Sequence, residues 1–258
     1  MLINSVILIL REVLEAALIV SVFLALSQKL QLSKRWLMPA LLFGFATAAI
    51  YALNIQVISQ AFEGVGQEIV NASLQVVIFG CIALFVFFIK NAQNHKRIAF
   101  IMMCCVSMAV TREGAEIIIY IQGLIAIPEL RSPVLIGSII GAGIGISAGV
   151  FFYYLIASLS FKNGLRLGLF LLILIAGGMI MQASQLLIQA DLISSQQALW
   201  NSSSFLNERS LTGQLLYALI GYEATPAPIQ VYMYICSLFI MITLTVRTLN
   251  HFKQREII

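Results

Sequence analysis

Charge is the scarcest property of this 258-residue chain. Asp, Glu, Lys and Arg make up 10% of it against 60% hydrophobic residues, and mean hydropathy is +0.98. That balance excludes a soluble globular domain and implies a polytopic membrane protein. Histidine is nearly absent: His95 and His251 are the two copies, neither stands in an H-E-x-x-H zinc motif, and no phosphate-binding loop occurs. Cys81, Cys104, Cys105 and Cys236 fall inside apolar runs without C-x-x-C spacing, which reads as small core residues. A removable leader is not evident either. The first apolar segment has its charges in the middle, no basic residues ahead of its core and no small-residue cleavage pattern, so it is expected to be a mature span.

What is there is a series of seven apolar runs, at about 3–26, 36–58, 70–89, 99–124, 134–157, 167–188 and 229–246, each able to cross a ~30 Å hydrocarbon layer. The connections alternate in sign. Lys29, Lys34, Arg35, Lys90, Lys96, Arg97, Lys162, Arg166, Arg247, Lys253 and Arg255 fall on one side, with only Arg131 and Arg209 on the other. The positive-inside rule then places the N-terminus outside and the C-terminus in the cytoplasm, and it accounts for the net charge of +4 without a nucleic-acid partner.

Within the first run, Arg11, Glu12 and Glu15 interrupt fifteen Leu, Ile, Val and Phe residues between Ile3 and Leu26. Apolar residues return roughly 0.3–0.6 kcal/mol each on insertion and each central charge costs about 2.5–3.5 kcal/mol, so the two sums nearly cancel. The charged face is therefore expected to look onto protein or a water-filled path. A second copy stands 101 residues on, as Arg112, Glu113 and Glu116. Two runs lie between the copies, so the two helices are expected to run in opposite directions. The expected fold is all-α, a single membrane domain over 1–258. It has seven transmembrane helices, forming two inverted three-helix repeats (about 3–89 and 99–188), an external loop over 189–228 and a last helix over 229–246.

At 100° per residue each Arg and its two Glu share a helix face, and each Arg can lock its i+4 Glu. With a rise of ~1.5 Å per residue, both motifs fall about 12–18 Å from the outer helix ends. Four carboxylates and two guanidiniums then meet at one level with a net charge of −2. A surplus carboxylate in each copy is the argument for a cation or proton site, with Glu12, Glu15, Glu113 and Glu116 as ligands and Arg11 and Arg112 balancing charge. Oxygen ligands without histidine or thiolate favour hard cations. Other readings fit the same residues: a carrier of lead, manganese or ferrous iron, a proton-coupled solute carrier that uses the acids as a relay, and a membrane scaffold without transport. Neither an enzymatic activity nor a bound cofactor is expected. Gly145-Ile146-Ser147-Ala148-Gly149 matches a hydrolase elbow, but both histidines lie in basic segments far from it. Gly137, Gly141, Gly145 and Gly149 instead read as a packing stripe. In the external loop, Leu211 to Ile220 could form an interfacial helix, although an ordinary loop is the preferred reading.

The two R-E-x-x-E motifs, with Phe62-Glu63-Gly64-Val65-Gly66-Gln67-Glu68 and Tyr222-Glu223-Ala224-Thr225-Pro226, resemble the iron permease family, the oxidase-linked and EfeU-type permeases of the iron/lead transporter superfamily. The likeness covers essentially the whole chain. It implies high-affinity uptake of iron, ferric in form, across the cytoplasmic membrane through Glu12, Glu15, Glu113 and Glu116. It also implies a partner, either an oxidase or a peroxidase with a periplasmic iron-binding protein. Glu63, Glu68 and Glu223 form a possible outer approach. The chain departs from the family pattern at Asn71, Ala72 and Gln189, where relatives often carry acids or glycine.

Overall fold

In the computed structural model, residues 2–90, 95–208 and 210–255 are described, with side chains to 252. Arg209 and the side chains of Lys253 and Arg255, counted in the charge pattern above, lie outside the described residues. Among the latter there is helix and no strand: α1 (Leu2–Lys29), α2 (Leu37–Leu53), α3 (Ile55–Gln60), α4 (Gly66–Phe88), α5 (His95–Ile125), α6 (Pro128–Ser158), α7 (Phe161–Gln189), α8 (Leu211–Ile220) and α9 (Pro228–Arg255). Six helical segments are long and apolar enough to cross a membrane: 34–53, 66–88, 95–125, 128–158, 161–189 and 228–252. Helix α1 is long enough too, at 28 residues, and differs in its three buried or half-buried charges.

One expected run is split. Asn54 donates its side-chain amide to the Ile50 carbonyl at 2.8 Å, offering the last turn of α2 an alternative partner that ends the helix there. The short α3 follows. The chain then turns through left-handed backbone at Phe62, Glu63 and Gly64 and enters α4 at Gly66, where a Cβ would stand 1.9 Å from the Ile58 carbonyl oxygen. Only glycine admits that return.

The glycine stripe lays α6 against α1. A Cβ on Gly137 would meet Ser5 at 2.7 Å, on Gly141 the Val6 carbonyl at 2.6 Å, on Gly145 Val13 at 2.8 Å and on Gly149 Ala17 at 2.8 Å. The rising register means that the two helices run parallel at backbone contact, the close approach that small residues permit in lipid. Helices α2 and α5 make the same kind of pair: Gly44 faces Val110, Gly114 faces Ala48, and Ser107 bonds the Ala40 carbonyl at 3.1 Å. The short connection at residues 126–127 reverses the chain between α5 and α6, so α1 and α5 run in opposite directions, as expected for the motif helices.

The core occupies one half of this bundle. Phe23 stacks edge-on against Phe85 (4.9 Å between centroids) and Trp36 (6.5 Å), among Leu18, Ile82, Met102, Val106 and Leu172, toward the end that carries Lys29, Lys34 and Arg97. Cys105 is buried there, whereas Cys236 is exposed. The opposite half, toward Glu63 and Glu208, is where the polar side chains gather.

Candidate ion-binding site

Both motifs project into the space between α1, α5 and α7. Arg11 donates through Nε to Glu12 Oε1 at 2.8 Å, pairs with it again through Nη2, reaches Gln214 Oε1 at 3.4 Å and lies over the Tyr217 ring at 5.3 Å. Arg112 is the hub: Nη1 donates to Glu113 Oε1 at 2.6 Å and to Glu15 Oε2 at 3.0 Å, and Nε faces Glu116 Oε1 at 3.4 Å. The expected i+4 lock holds for Arg112 and Glu116 but not for Arg11 and Glu15. Instead, Glu15 is held from the opposite helix, because the antiparallel crossing of α1 and α5 puts Arg112 nearer to it.

All four motif carboxylates thus meet, but they are not equivalent. One oxygen each of Glu12, Glu113 and Glu116 lies within 4.8 Å of the others, the separation of opposed oxygens on a hard cation at roughly 2.3–2.6 Å. Glu15 is not one of the three, although Arg112 Nη1, which bonds Glu113, bonds it as well. Glu12 Oε2, Glu15 Oε1 and Glu113 Oε2 are buried without a hydrogen-bond partner, an expensive state that a bound cation would relieve.

An amide shell surrounds the acids, and the charge-based reading missed it. Gln182 Nε2 donates to Glu15 Oε2 at 3.3 Å and Gln182 Oε1 accepts from Gln75 Nε2 at 2.6 Å. Asn71 donates to Glu116 at 3.3 Å and accepts from the Tyr51 hydroxyl at 3.0 Å. The signal was present as polar residues at helical spacing inside apolar runs: Gln67, Asn71 and Gln75 on α4, and Gln182, Gln185 and Gln189 on α7. Two of the departures from the family pattern, Asn71 and Gln189, line the site.

Two chambers with charged side chains in their walls open from the cluster toward the acidic end. One, of about 410 Å³, is bounded by Arg11, Glu12, Glu68, Asn71, Glu116 and Gln189. The other, of about 310 Å³, is bounded by Arg11, Arg112, Glu116, Gln214, Tyr217, Glu208 and Glu223. Glu116 and Arg11 belong to both. Of the approach residues, Glu68 and Glu223 line chambers, while exposed Glu63, at φ 63° in its turn, lines neither. Burial holds the Glu223 carboxyl above its ordinary range, and nearby Glu208 adds to this against the opposing hydrogen bond from Gln230.

The preferred loop reading of Leu211 to Ile220 is corrected. These residues form α8, capped at its start by Ser210, which accepts from Gly213 N at 3.0 Å, and at its end by left-handed Gly221. A Cβ on Gly221 would meet Gly178 Cα at 2.9 Å, so the helix end sits directly on α7 and delivers Gln214 and Tyr217 to Arg11.

A family model, the iron permease FTR1 family, matches residues 2–252. The chain belongs to the iron permease FTR1 family. Iron is accordingly its transported substrate, and the apolar helices make this iron permease a multi-pass protein of the cell membrane. No curated protein and no solved structure matches the chain.

Proposed function

We propose that this permease carries ferric iron, delivered by an oxidase or peroxidase partner, inward between α1 and α5. The observation that carries the reading is the three-carboxylate cluster of Glu12, Glu113 and Glu116 at the inner end of two chambers with charged side chains in their walls. Seven spans, with α1 as the first and two inverted three-helix units, fit the exchange of parallel partners: the first helix of each unit packs on the second of the other. An external N-terminus puts the chambers on the outer side.

Iron enters past Glu68 and Glu223 and first meets Glu116, the most exposed of the four motif acids, with 22% of its side chain accessible against 1%, 0% and 2% for Glu12, Glu15 and Glu113. It then displaces Arg112 from Glu113 and Glu116 and settles on the cluster. Freed of those acids, Arg112 keeps Glu15, which serves as the next ligand inward. The surplus of two negative charges offsets most of a trivalent ion's charge in low dielectric. Beyond Glu15 the path is closed by the aromatic and aliphatic core around Phe23 and Phe85, so release requires that half of the bundle to rearrange, as in alternating access.

Purified permease in liposomes, offered labelled ferric or ferrous iron with manganese or lead as competitor, tests the cargo. Ferric iron should enter with little competition; equal entry of manganese or lead would replace this reading with a general cation carrier.

A further inference from the structure

A third cavity, of about 590 Å³, lies on the flank of the bundle and serves neither chamber. It is an almost wholly apolar groove between α1, α2, α5 and α6, floored by Ala16, Ala17 and Gly149 and rimmed by exposed Phe45, Ile146 and Val150. Along α1 it extends from Glu12 to Leu24, about 18 Å at ~1.5 Å per residue. That is close to one leaflet of a hydrocarbon layer ~30 Å thick. Its deep end stops at Glu12 and Glu113, and Lys34 stands at its mouth.

Lys34 is exposed but fixed there: its Nζ donates to the Tyr153 hydroxyl at 3.0 Å and to Gln28 Oε1 at 3.3 Å, and it lies 5.3 Å over the Tyr153 ring. Among the described residues no acidic side chain pairs with it, and the sequence holds no Asp or Glu between Glu15 and Glu63. A cation without a counter-charge, held at headgroup level above a leaflet-long apolar groove, matches the two halves of one molecule.

We propose that the groove seats a single anionic phospholipid, its phosphate on Lys34 and one acyl chain laid along α1. The chain end closes the lateral way from Glu12 and Glu113 into the bilayer, so that iron held there leaves only along the bundle. This rests on membrane embedding and geometry and not on the ferric reading.

Native mass spectrometry of detergent-purified permease, given equal phosphatidylglycerol and phosphatidylcholine, tests it. Wild type should retain phosphatidylglycerol preferentially. Lys34→Gln should lower phosphatidylglycerol retention about fivefold, the size of one lysine–anionic-lipid interaction, and leave phosphatidylcholine unchanged. Val150→Trp, at a half-exposed rim position, should lower retention of both, with Ile146→Trp as a second groove-filling variant if the first does not fold. Equal retention of the two lipids by wild type, or unchanged retention in the variants, overturns the proposal. So does a dimer in which a second copy covers the groove and excludes lipid.

Discussion

Replacing Arg112 and Glu15 singly and together tests the cross-helix pairing on which the site's geometry depends. Arg112→Gln leaves Glu15, Glu113 and Glu116 without the guanidinium that touches all three. Its side chain is only 5% accessible, so solvent compensates little, and losing one partner of a buried ion pair costs about 3–5 kcal/mol. Adding Glu15→Gln removes one of the three stranded charges and its 3.0 Å contact. The double variant should therefore be more stable than additivity predicts by about 1–3 kcal/mol. The parallel cycle of Arg11→Gln with Glu15→Gln should couple less strongly than that of Arg112 with Glu15, because Arg11 spends its contacts on Glu12, Gln214 and Tyr217 and makes no hydrogen bond to Glu15. Reversible unfolding in mixed micelles measures both cycles. Strong Arg11–Glu15 coupling with weak Arg112–Glu15 coupling would restore the i+4 lock within α1 and refute the crossed arrangement.

Gly141→Leu forces side-chain atoms onto the Val6 carbonyl and Leu10 amide, 2.6 and 3.0 Å from its Cβ, and should destabilise the permease by at least about 1–3 kcal/mol; Gly143→Leu, in open space on the same helix, should leave stability unchanged in the same unfolding assay. Gln182→Leu keeps the shape but removes the donor to Glu15 and the acceptor for Gln75, at a cost of about 1–3 kcal/mol for the stranded polar groups; in uptake kinetics it should slow the maximal rate more than it raises the half-saturating iron concentration. Because Glu223 titrates above an ordinary glutamate's value of about 4.3, it loses its charge early as pH falls. Uptake at low iron should then decline at a higher pH in wild type than in Glu223→Gln, and superimposable pH profiles would remove Glu223 from the approach.

The motif helices were legible because three charges in an apolar run have few physical solutions. The copy of that pattern in α5, with an even number of intervening runs, already implied the opposed directions that Arg112–Glu15 contact and the Gly137 to Gly149 register now display. Four features were not legible. Which Arg holds which Glu depends on the crossing of α1 and α5, a tertiary quantity to which spacing within one helix is blind. The role of α8 depends on Gly178 and Gly221 allowing two backbones to touch, whereas its own ten residues are too few to span a membrane and do not say what they pack on. Asn54 splitting α2 from α3 was invisible to a hydropathy window, since one side-chain hydrogen bond to the Ile50 carbonyl barely alters average polarity. The amides Asn71, Gln75 and Gln182 carry no charge and so do not stand out in a charge pattern; in low dielectric a neutral amide at the right register positions a carboxylate without adding to the desolvation cost of further charge.

The proposed path carries iron over the cluster of Glu12, Glu113 and Glu116. Labelled ferric iron uptake into liposomes by wild type, Glu113→Gln and Glu116→Gln, with Glu63→Gln as the exposed control, tests it most directly. Loss of a first ligand should cost at least as much as the roughly 10–100-fold seen for outer-shell partners of metal sites, so flux should collapse in both cluster variants and persist in Glu63→Gln. Cluster variants that fold and carry ferric iron at the wild-type rate would rule out passage over these carboxylates.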